Sequence, residues 1–388
     1  MRFSPGADHA LVEKTARAFA RDVLAPRAAM RDRTHAFPHE ELRQLGALGL
    51  IGITVPPEHG GAGMDSLAQA YAIAAIAEAD VSVAVTLAVT NMVAEVLSRH
   101  AMPACRERYV PRLCAGELGA AAFALSEAGA GSDPAGLRTR CEATATGYLL
   151  NGTKQWITSG DVAGVFVIMA RHVEADPSGR PRFSAFAVPA GTPGLVAGAP
   201  ENKLGQRGSS TVPLTLDDVV VPAEALLGSE GGGFRLAMQA LDGGRINVGA
   251  MSVGVSRAAV NASLAYAKER RQFGQRLADF QGISFMLADA ATKVDAAWLM
   301  VARAAWQKDR GQPASKAAAQ AKLFASESAQ QICDSALQIH GGYGYTREFP
   351  VERFVRDARV MTIYEGTSQI QKLVVAREVI KELGHEQR

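Results

Sequence analysis

The chain has 388 residues, more than one hydrophobic core usually serves, so two or three domains are expected. Hydrophobic residues make up 48%, enough to fill sizeable cores, and Lys+Arg 41 against Asp+Glu 39 leaves a net charge of +2, which excludes bulk charge as a means of holding nucleic acid or a membrane surface. The four cysteines, Cys105, Cys114, Cys141 and Cys333, show no C-x-x-C spacing, which argues against a zinc site or a disulfide framework and predicts reduced thiols. Residues 1–33 mix charges and lack a long apolar run, so no secretory signal is expected. The apolar stretch from Leu67 to Leu97 is interrupted by Gln69, Glu78, Asp80 and Asn91, so no membrane span is expected either. The expectation is a soluble, cytoplasmic protein.

Three compositional blocks follow one another: 1–118, 119–228 and 229–388. The first is Ala-rich with helical spacing. Leu11, Val12, Phe19 and Val23 make one stripe, and Leu42, Leu45 and Leu48 another. Residues 56–63, Pro-Pro-Glu-His-Gly-Gly-Ala-Gly, break the helices; no Gly-Lys-Ser/Thr follows, so they read as a turn and not as a phosphate-binding loop. His35 and His39 stand four apart without a third ligand nearby, and no metal site is expected.

In the second block short β-branched and aromatic runs alternate with turn signals, at 147–153, 165–169, 183–188 and 212–216, which predicts a small barrel or sandwich. Asn151-Gly152 reads as a hairpin turn. In the third block Phe280, Ile283, Leu287, Ala291, Val294, Trp298, Val301 and Ala305 fall at steps of three and four and predict one long amphipathic helix. Pro313 reads as a first-turn residue of the next helix. The fold class expected is a multidomain α+β chain: an N-terminal α-helical domain, a central β-barrel or sandwich and a C-terminal four-helix bundle.

Five short stretches carry chemical possibilities. Residues 123–133, Phe-Ala-Leu-Ser-Glu-Ala-Gly-Ala-Gly-Ser-Asp, bring small residues that let a backbone approach a ligand, but no βαβ unit surrounds them, so they are not a dinucleotide fingerprint. Gln155-Trp156-Ile157-Thr158 places an aromatic beside a hydroxyl at a strand end, which suits either core packing or a flat conjugated ring. Arg270-Arg271-Gln272-Phe273-Gly274, with Gln281 eleven residues past Arg270, can lie in solvent or clamp a pyrophosphate. Gln338-Ile339-His340-Gly341-Gly342-Tyr343-Gly344 is a glycine-dense break in which His340 reads as a helix cap. Thr362-Ile363-Tyr364-Glu365-Gly366-Thr367-Ser368-Gln369 sets one carboxylate among apolar neighbours. Glu365 there suits a general base, or the start of the last helix.

Taken in this order, Leu125-Ser126-Glu127 with Gly131-Ser132-Asp133, Trp156-Ile157-Thr158, Arg270-x-Gln272-Phe273-Gly274 with Gln281, Gln338-x-x-Gly341-Gly342 and Tyr364 to Gln369, the chain strongly resembles the acyl-CoA dehydrogenases. The resemblance covers nearly the whole chain. It implies FAD, an acyl-CoA substrate oxidised to 2-enoyl-CoA, a homotetramer and an electron-transfer flavoprotein as electron acceptor. It places Phe123, Leu125, Ser126, Gly131, Ser132, Trp156, Ile157 and Thr158 on the flavin and its phosphates, with Thr367, Ser368 and Gln369 touching FAD again. Arg270, Phe273, Gln281, Gln338, Gly341 and Gly342 would reach the FAD of a neighbouring subunit. Ser132, Asp242, Arg245 and Gly366 match positions that meet the acyl-CoA, and Glu365 matches the catalytic base. Some relatives carry their base just before the arginine matching Arg245, but here that position is Gly244, which has no acidic group. Ala128 departs from the proline common at its position. The chain length suits a short- to medium-chain acyl group, branched or straight. Other readings of the same resemblance are a dehydrogenase of carrier-protein thioesters, an acyl-CoA oxidase, or a non-catalytic flavin-binding scaffold.

Overall fold

The computed structural model describes residues 6–385. It opens with helices α1 (Ala7–Phe19), α2 (Ala25–Thr34), α3 (His39–Ala47), α4 (Ser66–Ala79), α5 (Val81–His100) and α6 (Pro103–Cys114). The starts of α4 and α5 are fixed by side chains that satisfy otherwise orphaned backbone donors. Asp65 accepts from Ala68 N at 2.8 Å, and Asp80 accepts from Ser82 N at 2.9 Å. Helix α5 is long and apolar enough to cross a membrane, but its most apolar window is 89% buried against the rest of the fold. It is the central core helix of this half. The stripes of the first block hold only in part: Phe19, Leu42 and Leu45 are buried, whereas Leu11 and Leu48 face solvent.

The middle of the chain forms β1 (Ala120–Ala124), β2 (Arg140–Ala143), β3 (Gly147–Thr158), β4 (Ala163–His172), β5 (Phe183–Pro189), β6 (Leu195–Ala197), β7 (Thr211–Pro222) and β8 (Leu226–Leu227). They make one mixed sheet in the order β6-β7-β3-β2-β4-β5-β8, with β1 parallel to β4. Strand β4 is buried on both faces, which explains its unbroken apolar run. Val165, Val167 and Met169 join the helical core, while Phe166, Ile168 and Ala170 join a second core that the sheet encloses with its own strands.

Asn151-Gly152 is not a hairpin turn. Both residues lie inside β3, at a shift of register against β7. Asn151 exchanges hydrogen bonds with Asp218 of β7, itself at φ 50. Gly152 has φ 149, and a Cβ there would sit 2.7 Å from Thr139 Cα. The turn-forming residue types therefore serve a bulge and a close approach. The β2–β3 reversal comes earlier, where Thr144 N donates to Gly147 O at 2.9 Å.

The last part holds α7 (Gly233–Glu269), a two-strand hairpin of β9 (Arg271–Gln272) and β10 (Gln275–Arg276), then α8 (Gln281–Asp309), α9 (Ser315–His340), α10 (Val351–Arg359) and α11 (Ser368–His385). Helices α7, α8 and α9 pack on one another, α11 packs on α9, and α4 packs on α7. Pro313 lies ahead of the first turn of α9, one residue before its N-cap Ala314. The apolar stripe of α8 is buried only from Ala290 onward, and Phe285 in its first half is exposed.

Candidate active site

Glu365 lies in the short link between α10 and α11, where the chain must turn sharply to start the last helix. It takes φ 53, a left-handed conformation that non-glycine residues seldom adopt. The residue is half-buried, but its carboxyl group is withdrawn from water and Oε2 has no hydrogen-bond partner. Burial pushes its pKa up to about 7, against the pull of the Arg245 guanidinium and the Lys322 ammonium, which lower it. A carboxyl group that titrates near neutrality, with a free oxygen, can take a proton from a ligand.

The space that the carboxyl group occupies is made by Gly244 on α7. A Cβ at that position would lie 2.5 Å from Glu365 Oε2 and 3.0 Å from Cδ. The residue without an acidic side chain is thus the one against which Glu365 rests. One step along α7, Arg245 is buried and donates to Asp242 Oδ1 at 2.7 Å, and Asp242 Oδ2 accepts from Ser315 Oγ at 2.5 Å. Arg245 Nε has no partner. Thr367 Oγ1 accepts from Ile370 N at 3.3 Å, so the same stretch also caps α11, and Ser368 is its first helical residue. Gln369 is exposed.

A second surface forms where β1 and β3 end. Gln155 N donates to Ser126 O at 2.9 Å, bringing Leu125 and Ser126 beside Trp156. A fully buried ion pair underpins them: Lys154 Nζ donates to Glu127 Oε1 at 2.9 Å and to Leu125 O at 3.1 Å, while Glu127 also accepts from Arg138 N and Thr139 N. Trp156 sits at a bulge with φ 62 and leaves 60% of its surface exposed, a large aromatic face held out of the core. Ile157 is buried, Thr158 and Phe123 are half-buried, and Gly131 and Ser132 are exposed on the loop beyond. Ser159 N donates to Ser210 O at 2.9 Å, and the same loop carries Gln206 to Tyr364: Gln206 Nε2 donates to Tyr364 OH at 3.3 Å. This loop therefore links the Trp156 surface to the Glu365 turn. Buried Ser159 Oγ and Ser368 Oγ have no partner. An open aromatic face beside small residues and unspent hydroxyls fits a flat conjugated ring with heteroatoms, and so fits a flavin.

The remaining candidates gather elsewhere. Phe273 and Gly274, at φ 51 and 79, form the tip of the β9–β10 hairpin, and Phe273 is 92% exposed. Arg270 lies 5.7 Å over the Tyr343 ring, beside a groove of about 490 Å³ that His340, Gly341 and Gly342 also line. Gln281 and Gln338 are exposed. His340 is buried, bonded to Ala336 O at 2.8 Å and stacked on Tyr266, a structural role. From Gly244 to the end of α7 is about 38 Å of helix, so Arg270 stands far from the Glu365 of its own chain.

Two residues beside Glu365 escaped the sequence reading. Lys322 Nζ donates to Gly366 O at 2.7 Å, and Gln371 Nε2 donates to Glu365 O at 3.0 Å and Gly366 O at 2.8 Å. Both are fully buried. The only local signal was a single lysine in the Ala-rich run from Ala317 to Ala325.

Three family models match the chain in order: acyl-CoA dehydrogenase, N-terminal domain, over 6–117; middle domain, over 122–219; and C-terminal domain, over 231–380. The chain is 43% identical to an acryloyl-CoA reductase (NADH) of Anaerotignum propionicum, covering 98% of this chain and 96% of that one. It is 42% identical to a probable acyl-CoA dehydrogenase of Bacillus subtilis, covering 98% and 100%. Its fold matches the structure of butyryl-CoA dehydrogenase from Megasphaera elsdenii with a TM-score of 0.94 at 37% identity, covering 98% and 100%.

Proposed function

The chain belongs to the acyl-CoA dehydrogenase family of FAD-dependent oxidoreductases, and we propose that it removes the α and β hydrogens of a short- to medium-chain acyl-CoA, with Glu365 as the base. One observation carries this reading: the Glu365 carboxyl group, its Oε2 unpartnered, is seated against Gly244, the alternative base position, which has no acidic group of its own.

In this reading Glu365 takes the proton beside the thioester carbonyl, a step that needs a carboxylate already aimed at the carbon. The backbone N–H of Glu365 meets the oxygen on which charge develops, and Gly366 leaves room for the thioester. FAD, when bound, supplies the acceptor for the hydride that leaves the β-carbon. Asp242 and Arg245 orient the acyl-CoA from α7, and Ser132 meets it from the loop after β1. Phe123, Leu125, Ser126, Gly131, Ser132, Trp156, Ile157 and Thr158, with Thr367, Ser368 and Gln369, hold the cofactor from one chain. Arg270, Phe273, Gln281, Gln338, Gly341 and Gly342 hold the cofactor of a second chain in a homotetramer. Three units, 1–118, 119–228 and 229–388, bring these parts together, and an electron-transfer flavoprotein in the cytoplasm takes the electrons.

The likeness to a butyryl-CoA dehydrogenase supports a short acyl chain. Anaerobic bleaching of the flavin across acyl-CoAs from propionyl to palmitoyl, including isobutyryl and 2-methylbutyryl, tests it. Fast bleaching is expected with chains of about four to eight carbons, on the logic that a fitted pocket discriminates by about tenfold or more for a mismatched chain. Fastest bleaching by palmitoyl-CoA would contradict it.

A further inference from the structure

Lysine is almost never buried without a partner that justifies it. Lys322 is 0% exposed on α9, and its partner is a backbone carbonyl, that of Gly366 at 2.7 Å. Gln371 from α11 meets the same carbonyl and the one before it. The two side chains thus grip both carbonyls of the Glu365-Gly366 pair, and Glu365 is the residue held at φ 53. An outlying backbone conformation persists where its surroundings over-determine it, and three hydrogen bonds from buried side chains do so here.

The charges around the carboxylate are few. Arg245 faces it from α7 and is already tied to Asp242 at 2.7 Å. Lys322 faces it from α9, and Glu327 of the same helix faces Lys322 while lying 3.8 Å from Lys372. Tyr364 adjoins it, and Asp357 of α10 also faces that phenol. Burial pulls the Lys322 ammonium down to about 8, with the Glu365 carboxylate opposing that fall.

We propose that Lys322 is a positioning residue for Glu365: its ammonium clamps the Gly366 carbonyl, locks the left-handed turn together with Gln371, and stands beside Arg245 as a second positive charge against which the carboxylate is held. This rests on Glu365 being the base. Two consequences separate charge from geometry. Loss of the ammonium removes an attraction for the ionised carboxylate, so the base needs a higher pH to be active. Loss of Gln371 loosens the turn and leaves the charges in place.

The test is the pH dependence of acyl-CoA-dependent flavin reduction in purified holoenzyme. Lys322→Met is expected to keep its flavin, to lower the plateau rate because the clamp on the Gly366 carbonyl is lost, and in addition to move the acidic limb upward by about one pH unit, so that higher pH recovers the titration loss but not the plateau. Gln371→Leu is expected to lower the rate about tenfold at every pH with the limb unmoved. Lys322→Arg keeps the charge and the donor, so its acidic limb stays with the wild type. An unmoved acidic limb in flavin-loaded Lys322→Met overturns the proposal. If Lys322→Met retains no flavin, Lys322→Gln takes its place with the same expectation, and a flavin-loaded arginine variant whose acidic limb moves up as far as that of the neutral variant overturns the proposal independently. Bleaching retained by Glu365→Gln would instead defeat the assignment of the base; an inactive Glu365→Gln with an unmoved Lys322→Met limb defeats this proposal alone.

Discussion

At the scale of single residues the pocket turns on what Gly244 lacks. A methyl group there would fall 2.5 Å from Glu365 Oε2. The flexible carboxyl end can swing away, so the fold should survive Gly244→Ala while the base loses its aim. Stopped-flow reduction by butyryl-CoA should slow by about a hundredfold with flavin content unchanged, since misplacement of about 1 Å costs that much. Wild-type rates would show that Glu365 acts from another position. The charges here also weigh against the fold. Glu365 has a pKa raised from 4.5 to about 7, so the folded state holds its proton longer than the unfolded one, and stability falls as pH rises through that window. Lys322 has a pKa lowered from 10.5 to about 8, so stability falls as pH drops from 10.5 towards 8. At neutral pH both costs are present, and they meet at one loop: Glu365 lies in it and Lys322 reaches it from α9.

At the scale of elements, much of this was legible and some was not. Helical periodicity found α8, because side chains at steps of three and four must share a face, and β4 showed itself by a continuous apolar run, Val165 to Met169. The Glu365 stretch could be read by residue type and order, and its two readings turned out to coexist: Thr367 caps α11 while Glu365 faces Gly244. Asn151-Gly152 misled because a bulge and a tight turn ask for the same residue types, and only the partner strand distinguishes them. Lys322 and Gln371 were invisible for a different reason. Each acts across elements, from α9 and α11 onto a loop, and no local pattern records which long-range carbonyl a side chain reaches. The exposure of Trp156 was equally hidden, since it depends on the backbone bulge that puts φ at 62.

At the scale of the whole molecule, α7 separates the candidate cofactor contacts. Glu365 lies against its N-terminal part and Arg270 follows its C-terminus, about 38 Å of helix away. Isologous pairing of two copies would let the Arg270 end of one serve the Trp156 face of the other. Subunit mixing follows from this. Glu365→Gln alone should hold flavin without turning over, and Arg270→Ala alone should lose flavin. Co-expressed, they should recover activity in about a quarter of the sites, those with Glu365 from one chain and Arg270 from its neighbour. No recovery in isolated mixed oligomers would place both residues in one chain's site. The most direct measurement of the central claim is anaerobic reduction of flavin in purified Glu365→Gln by butyryl-CoA. We expect a yellow, flavin-loaded protein whose acyl-CoA-dependent bleaching is slowed by about four or more powers of ten, as loss of one essential group commonly does. Bleaching at the wild-type rate would contradict the assignment of Glu365 as the base.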